Sequence, residues 1–184
     1  MRDLRHLPPD LPVPEDDGAC QHLPGKALPH VELASTKGRK VSVREAGKQP
    51  TVFFFYPRTG RPEAPAPSGW DRIPGARGCT PQSCGFRDLY LEFESRGVRI
   101  FGVSAQSSEY QREFVERNRI PYEILSDERF ELTEAIGLPT FEFDSMRLIK
   151  RLAFFAEDGV ILKLFYPVFP PDKNAEEVLA WLDQ

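Results

Sequence analysis

Apolar and polar residues alternate in two short stretches, Val31-Glu32-Leu33 and Val41-Ser42-Val43, on either side of a Lys37-Gly38-Arg39 turn. A period of two predicts a short β-hairpin. Thr51-Val52-Phe53-Phe54-Phe55-Tyr56 is a continuous apolar run of β-favouring residues ended by Pro57. It predicts a central strand covered on both faces. The pattern then breaks. From Arg58 to Arg77 the chain carries Pro62, Pro65, Pro67 and Pro74 with Gly60, Gly69 and Gly75, and no regular element fits. Beyond this loop Phe86, Leu89, Tyr90 and Phe93 fall at helical spacing. They predict a helix from about Thr80 to Arg96, with Thr80 as its cap, Pro81 at its first position and Gly97 as its stop.

Val98 to Val103 reads as a second buried strand, and Ser108-Glu109-Tyr110-Gln111 has the form of a capping box opening a helix to about Asn118. Pro121 to Leu125 reads as a strand, and Asp127 as the cap of a short helix ending at Gly137. Leu148 to Ala156 and Val160 to Tyr166 flank Glu157-Asp158-Gly159, a strong hairpin signal. Tyr166 to Pro171 reads as an extended connector, after which Asn174 caps a last helix carrying Val178, Leu179 and Leu182. The strand–helix–strand–helix–strand middle predicts an α/β fold with a parallel section, and the closing hairpin makes the central sheet mixed. Residues 1–24 hold Pro8, Pro9, Pro12, Pro14 and Pro24 among charges. They read as a Pro-rich N-terminal arm, poorly ordered or wrapped on the domain, followed by one domain over 25–184 with a loop insertion at about 58–77.

Composition narrows the function. The chain has 184 residues, 40% hydrophobic and 28% charged, which suits a single soluble domain with a sizeable core. A net charge of −4 carries no nucleic-acid footprint. No apolar run reaches the length of a membrane span. Met1 to Asp17 lacks an apolar signal core, so a cytoplasmic location is the default expectation. Three cysteines, Cys20, Cys79 and Cys84, are too few for a disulfide scaffold. Zinc needs about four ligands, and the three histidines, His6, His22 and His30, all lie in the first thirty residues. No metal site and no cofactor are expected.

The chemistry concentrates in Gly78-Cys79-Thr80-Pro81-Gln82-Ser83-Cys84-Gly85-Phe86-Arg87-Asp88. A helix start carries unpaired N–H groups and the positive end of the dipole, so a thiol placed there is favoured as the nucleophilic thiolate. Cys84, five residues on, is near enough to capture an oxidised Cys79. Geometry adds a condition. Cα atoms five apart on a helix are separated by roughly 8–9 Å, and a disulfide tolerates at most about 7 Å. Closing the bond therefore requires the first turns to unwind, which Gly78 and Gly85 make easier. Cys20 reads as a spare thiol or an auxiliary redox partner.

With Phe54-Phe55-Tyr56-Pro57 before it, and with Phe101-Gly102-Val103-Ser104, Leu125-Ser126-Asp127-Glu128 and Arg151 after it, this stretch resembles the peroxiredoxins. The nearest likeness is to the Q type, or bacterioferritin comigratory proteins, over roughly residues 25–183. The resemblance implies a thioredoxin-like fold and a thiol peroxidase reducing hydrogen peroxide or organic hydroperoxides. It makes Cys79 the peroxidatic cysteine and Cys84 the resolving cysteine. Arg151 becomes the arginine that pairs with thiolate and peroxide, and thioredoxin or glutaredoxin the reductant. The family pattern Pro-x-x-x-Thr-x-x-Cys is broken here, because Arg72 and Ala76 stand where its proline and threonine belong. Pro57 and Thr59 are the candidates to replace them, provided that the inserted loop folds out and returns Thr59 to the pocket; otherwise Thr80 or a backbone N–H must serve. Tyr56 is a further candidate pocket residue, with core packing an equal account of it. Phe141 and Phe143 are candidates to cover the pocket, and Trp70 either packs within its loop or folds over the site. A dithiol–disulfide exchanger and a copper-binding thioredoxin-like protein are the competing readings. Monomer and homodimer both remain open.

Overall fold

The computed structural model describes residues 4–184. In chain order the elements are β1 (Glu32–Ser35), β2 (Lys40–Ser42), α1 (Val43–Ala46), β3 (Thr51–Phe55), α2 (Cys79–Asp88), α3 (Tyr90–Ser95), β4 (Arg99–Ser104), α4 (Ser108–Asn118), β5 (Glu123–Ser126) and α5 (Glu131–Ile136). They are followed by β6 (Thr140–Phe143), β7 (Met146–Ile149), β8 (Leu152–Glu157), β9 (Val160–Phe165) and α6 (Asn174–Leu182). Seven strands form one mixed sheet in the order β2-β1-β5-β4-β3-β8-β9. The apolar run that begins at Thr51 becomes β3, buried along its whole length, parallel to β4 and antiparallel to β8.

Strand alternation divides the core into two layers. Phe53 and Phe55 face a layer closed by α1 and α5, which contribute Val43, Ala46, Leu132 and Ile136. Val52, Phe54 and Tyr56 face the other, closed by Phe86, Phe93, Phe114 and Val178 from α2, α3, α4 and α6. Phe54 stacks on Phe86 at 4.4 Å between ring centroids, which seats α2 over the end of β3. Among the described residues no helix is long and apolar enough to cross a membrane.

The expected elements differ from this fold in several places. Val43, expected in the second hairpin strand, begins α1 instead. The helix expected over 80–96 is two, because Leu89 leaves helical torsions (φ −102°, ψ 12°). The kink brings Phe93 within 5.6 Å of Phe86, so that both rings reach the same layer. Thr80 is not the cap. Gly78 takes that position at φ 106°, and a side chain there would collide with Pro171, whose Cγ lies 2.3 Å from where a Cβ would sit. Ser107, not Ser108, caps α4 by accepting from the Tyr110 N–H. The run 148–156 is not one strand. Leu148 and Ile149 turn back to pair with Phe141 and Thr140 in a separate two-stranded sheet, and the sheet strand restarts after Arg151. Asn174 begins α6 rather than capping it, and its Oδ1 accepts from Gln82 instead. Phe130, not Asp127, occupies the cap position of α5, but the Asp127 carboxylate, three residues before it, receives the Leu132 and Thr133 N–H groups.

The described part of the arm lies against the domain. Cys20 and Leu23 are buried in the first core layer, and Asp17 accepts from Lys150 at 2.6 Å and from the Tyr166 hydroxyl at 2.7 Å.

Candidate active site

Cys79 is the first helical residue of α2 and is buried at 4% exposure. Its Sγ lies 3.3 Å from Arg151 Nη2 and 3.6 Å from the Ala76 carbonyl, to which the thiol donates. Arg151 stands just before β8, the antiparallel neighbour of β3, and is itself buried. Its Nε donates to the Gly75 carbonyl (3.2 Å), and Nη2 also reaches the carbonyls of Ala76 and Arg77 (3.1 Å each). Nη1 donates to Gln82 Oε1, and the Gln82 amide donates in turn to Asn174 of α6 at 2.9 Å. The end of the 58–77 loop is thus a cradle of backbone carbonyls around a guanidinium. None of these acceptors is a carboxylate, so the positive charge is oriented but not cancelled. A guanidinium held this way can stabilise a thiolate on Cys79.

Thr59 returns to the same place. It and Cys79 both line one small cavity of about 70 Å³, together with Thr80, Trp70, Tyr110 and Leu4. Thr59 is buried and its orientation is set by Gln106. The Thr59 N–H and Oγ1 both donate to Gln106 Oε1 (2.8 and 3.1 Å), while its carbonyl accepts from Gln106 Nε2 (3.2 Å) and the Tyr110 hydroxyl (3.3 Å). With its proton given to Gln106, the Thr59 hydroxyl keeps lone pairs for a donor in the cavity. Ala76, three residues before Cys79, contributes its carbonyl to Cys79 and Arg151.

Other candidates sit further back. Tyr56 and Pro57 are buried at the end of β3 and are not among the residues lining this cavity. Burial, reinforced by charge at Cys79, pushes the Tyr56 phenol up, so it stays protonated. Phe141 and Phe143 do not line the cavity either. They pack against Trp70, at 6.3 and 5.2 Å between ring centroids, and Trp70 and Tyr110 are the aromatics that line the cavity.

Cys84 lies on the same helix, buried at 7% exposure, and burial pushes its thiol up. All three cysteines are free thiols. Cys20 is driven up to about 12 by burial and then by Asp17 and Asp16, so it is an inert thiol packed in the opposite core layer. Sequence reading missed Gln82, Gln106 and Asn174. Their roles depend on contacts 92 and 47 positions apart in the chain, which local pattern does not carry.

Among relatives, a chloroplastic peroxiredoxin Q of Sedum lineare is 28% identical over 174 residues, covering 95% of this chain and 85% of its own. One from Gentiana triflora is 27% identical over 187 residues, covering 99% and 79%. Among solved structures, the peroxidoxin BcpB of Mycobacterium tuberculosis superposes with a TM-score of 0.71 at 26% identity, covering 88% of this chain and 96% of that one. A peroxiredoxin Q of Xylella fastidiosa shares the fold, with a TM-score of 0.71 at 22% identity and the same coverage. The resemblance to Q-type peroxiredoxins and the expected thioredoxin-like fold both stand. The redoxin family model matches residues 23–179, the greater part of the sequence, and the chain belongs to the redoxin family.

Proposed function

We propose that this protein is a thiol peroxidase in which Cys79 attacks the peroxide and Cys84 resolves the product. The observation that carries the reading is the Arg151 guanidinium 3.3 Å from Cys79 Sγ at the start of a helix. The Cys79 thiolate attacks one peroxide oxygen and the O–O bond breaks. The departing oxygen takes the electron pair and a proton and leaves as water or an alcohol, and Cys79 becomes a sulfenic acid. Arg151 and the free N–H groups of the first turn of α2 hold the negative charge as it moves from sulfur to oxygen. Thr59 accepts a hydrogen bond from the peroxide O–H and so fixes the oxygen that is attacked.

Cys84 then attacks the sulfenic sulfur, water leaves, and a Cys79–Cys84 disulfide forms. Both residues lie in one continuous helix, so the first turns of α2 unwind for this step. Thioredoxin, or glutaredoxin, supplies two electrons to reopen the disulfide.

Peroxide consumption with a thioredoxin recycling system tests the scheme in wild type, Cys79→Ser and Cys84→Ser. Cys79→Ser is expected to be inert, and Cys84→Ser to react once with peroxide and then stop. Full turnover without Cys84 would remove it from the mechanism. Thr59→Val is expected to slow the peroxide step by roughly tenfold or more. Unchanged peroxide kinetics in that variant would remove Thr59 from the site.

A further inference from the structure

Arg87, three residues beyond Cys84 in α2, borders a second opening. Arg87 of α2, Arg117 and Asn118 of α4, Arg119 just beyond α4 and Arg5 of the arm line an open cavity that shares no residue with the one at Cys79. Arg87, Arg5 and Arg117 all act on the Cys84 thiol, against the effect of its burial. The surface is built, because Arg87 Nη1 donates to the Asn118 carbonyl at 2.8 Å and ties α2 to the end of α4. Asp88 pairs with Arg87 and Glu113 with Arg117. Arg119 is exposed, and Leu91, in the helix that follows α2, is 73% exposed, more than any other large hydrophobic residue among those described.

We infer that this arginine-lined surface is the docking face for an acidic dithiol protein that reduces the Cys79–Cys84 disulfide. The inference rests on the peroxidase reading above. Four arginines converge on one face of a chain whose net charge is −4, so the face selects partners of the opposite sign to itself. An open rim of charge with an exposed leucine in the adjoining helix suits a protein surface better than a small enclosed ligand. The partner's thiolate bonds to the Cys84 sulfur, the Cys79–Cys84 bond breaks, and the electron pair goes to Cys79, which leaves as the thiolate that Arg151 holds. The partner's second thiol then releases Cys84, whose departing negative charge meets the same arginines, and the partner leaves as a disulfide. Peroxide and reductant therefore use different openings, one lined by Cys79 and one by Arg87 and Arg119.

The test uses Arg119→Glu and Arg119→Lys in the full chain. The reductants are a thioredoxin of net negative charge, recycled by its reductase and NADPH, and uncharged dithiothreitol. With thioredoxin at low salt, kcat/KM is expected to fall about tenfold in Arg119→Glu and to recover in Arg119→Lys, with the difference shrinking as salt rises. Turnover with dithiothreitol and the single-turnover peroxide reaction are expected to stay at the wild-type level in both variants. An equal loss with dithiothreitol, or no loss with thioredoxin, would overturn the docking face. Wild type recycled by glutathione and not by thioredoxin would overturn the protein partner. Absence of the single-turnover reaction in wild type would overturn the peroxidase reading itself.

Discussion

Replacing Arg151 by methionine isolates the charge next to the nucleophile, because methionine keeps much of the length of the side chain and removes every donor. The guanidinium makes one contact to Cys79 Sγ at 3.3 Å, and no carboxylate is among its hydrogen-bond partners. A hydrogen bond to a charged group contributes about 1.5–3 kcal/mol. If the contact is made to the thiolate and persists to the transition state, its loss slows the peroxide step by roughly 10- to 150-fold. The same change strips donors from the carbonyls of Gly75, Ala76 and Arg77, so the variant also loses about 1–3 kcal/mol or more of stability, with no simple additivity. The two effects separate experimentally. Stopped-flow measurement of the peroxide step, below the unfolding transition established by circular dichroism, reads the chemistry, while denaturant titration reads the fold. Arg151→Lys keeps a charge but not the planar fork, and is expected to recover part of the rate and little of the stability. A folded Arg151→Met enzyme whose peroxide step stays within threefold of wild type would refute the assignment of Arg151 to the thiolate.

Further outcomes follow from the same geometry. Oxidation by one equivalent of peroxide should expose backbone amides of residues 79–84 to hydrogen exchange, and reduction should protect them again; an oxidised protein with α2 equally protected would refute the unwinding step. Cys20 should resist alkylation at pH 8 in the folded protein while Cys79 reacts, and Cys20→Ala should leave peroxide turnover unchanged, as peptide mapping and steady-state assays will report. Asp17 is held well below the usual carboxylate range by its hydrogen bonds to Lys150 and Tyr166. A depressed folded value means that its contribution to stability is complete above about pH 4 and is lost as pH falls further. Its side chain is 44% exposed, so Asp17→Asn should cost only about 0.5–1 kcal/mol at pH 7 and roughly a third of that near pH 2, measured by denaturant unfolding at both pH values.

Sequence alone determined what depends on near neighbours. The buried run that begins at Thr51, a helix opening near Cys79 and the Asp158-Gly159 turn each follow from side chains within a few positions, where periodicity and turn chemistry act. The same locality made Cys79 and Cys84 legible as a candidate pair, and the proposed bond between them requires their helix to open. The family likeness then pointed to Arg151, which no local pattern marks out. Tertiary structure alone decided how the loop over 58–77 meets the site. A run of prolines and glycines says that no helix or strand forms, but not where its ends meet. Only the fold shows that Thr59 and Cys79 share one cavity across the loop, and that Gly75, Ala76 and Arg77 present their carbonyls to Arg151. Gln82 and Gln106 hold Arg151 and Thr59 through amides that match any polar helix or loop position by type, because a hydrogen bond between residues distant in the chain leaves no periodic trace. The separate hairpin of β6 and β7 was hidden for a related reason. Leu148 and Ile149 are apolar enough for the main sheet, and it is their pairing partners, Phe141 and Thr140, that carry them away from it.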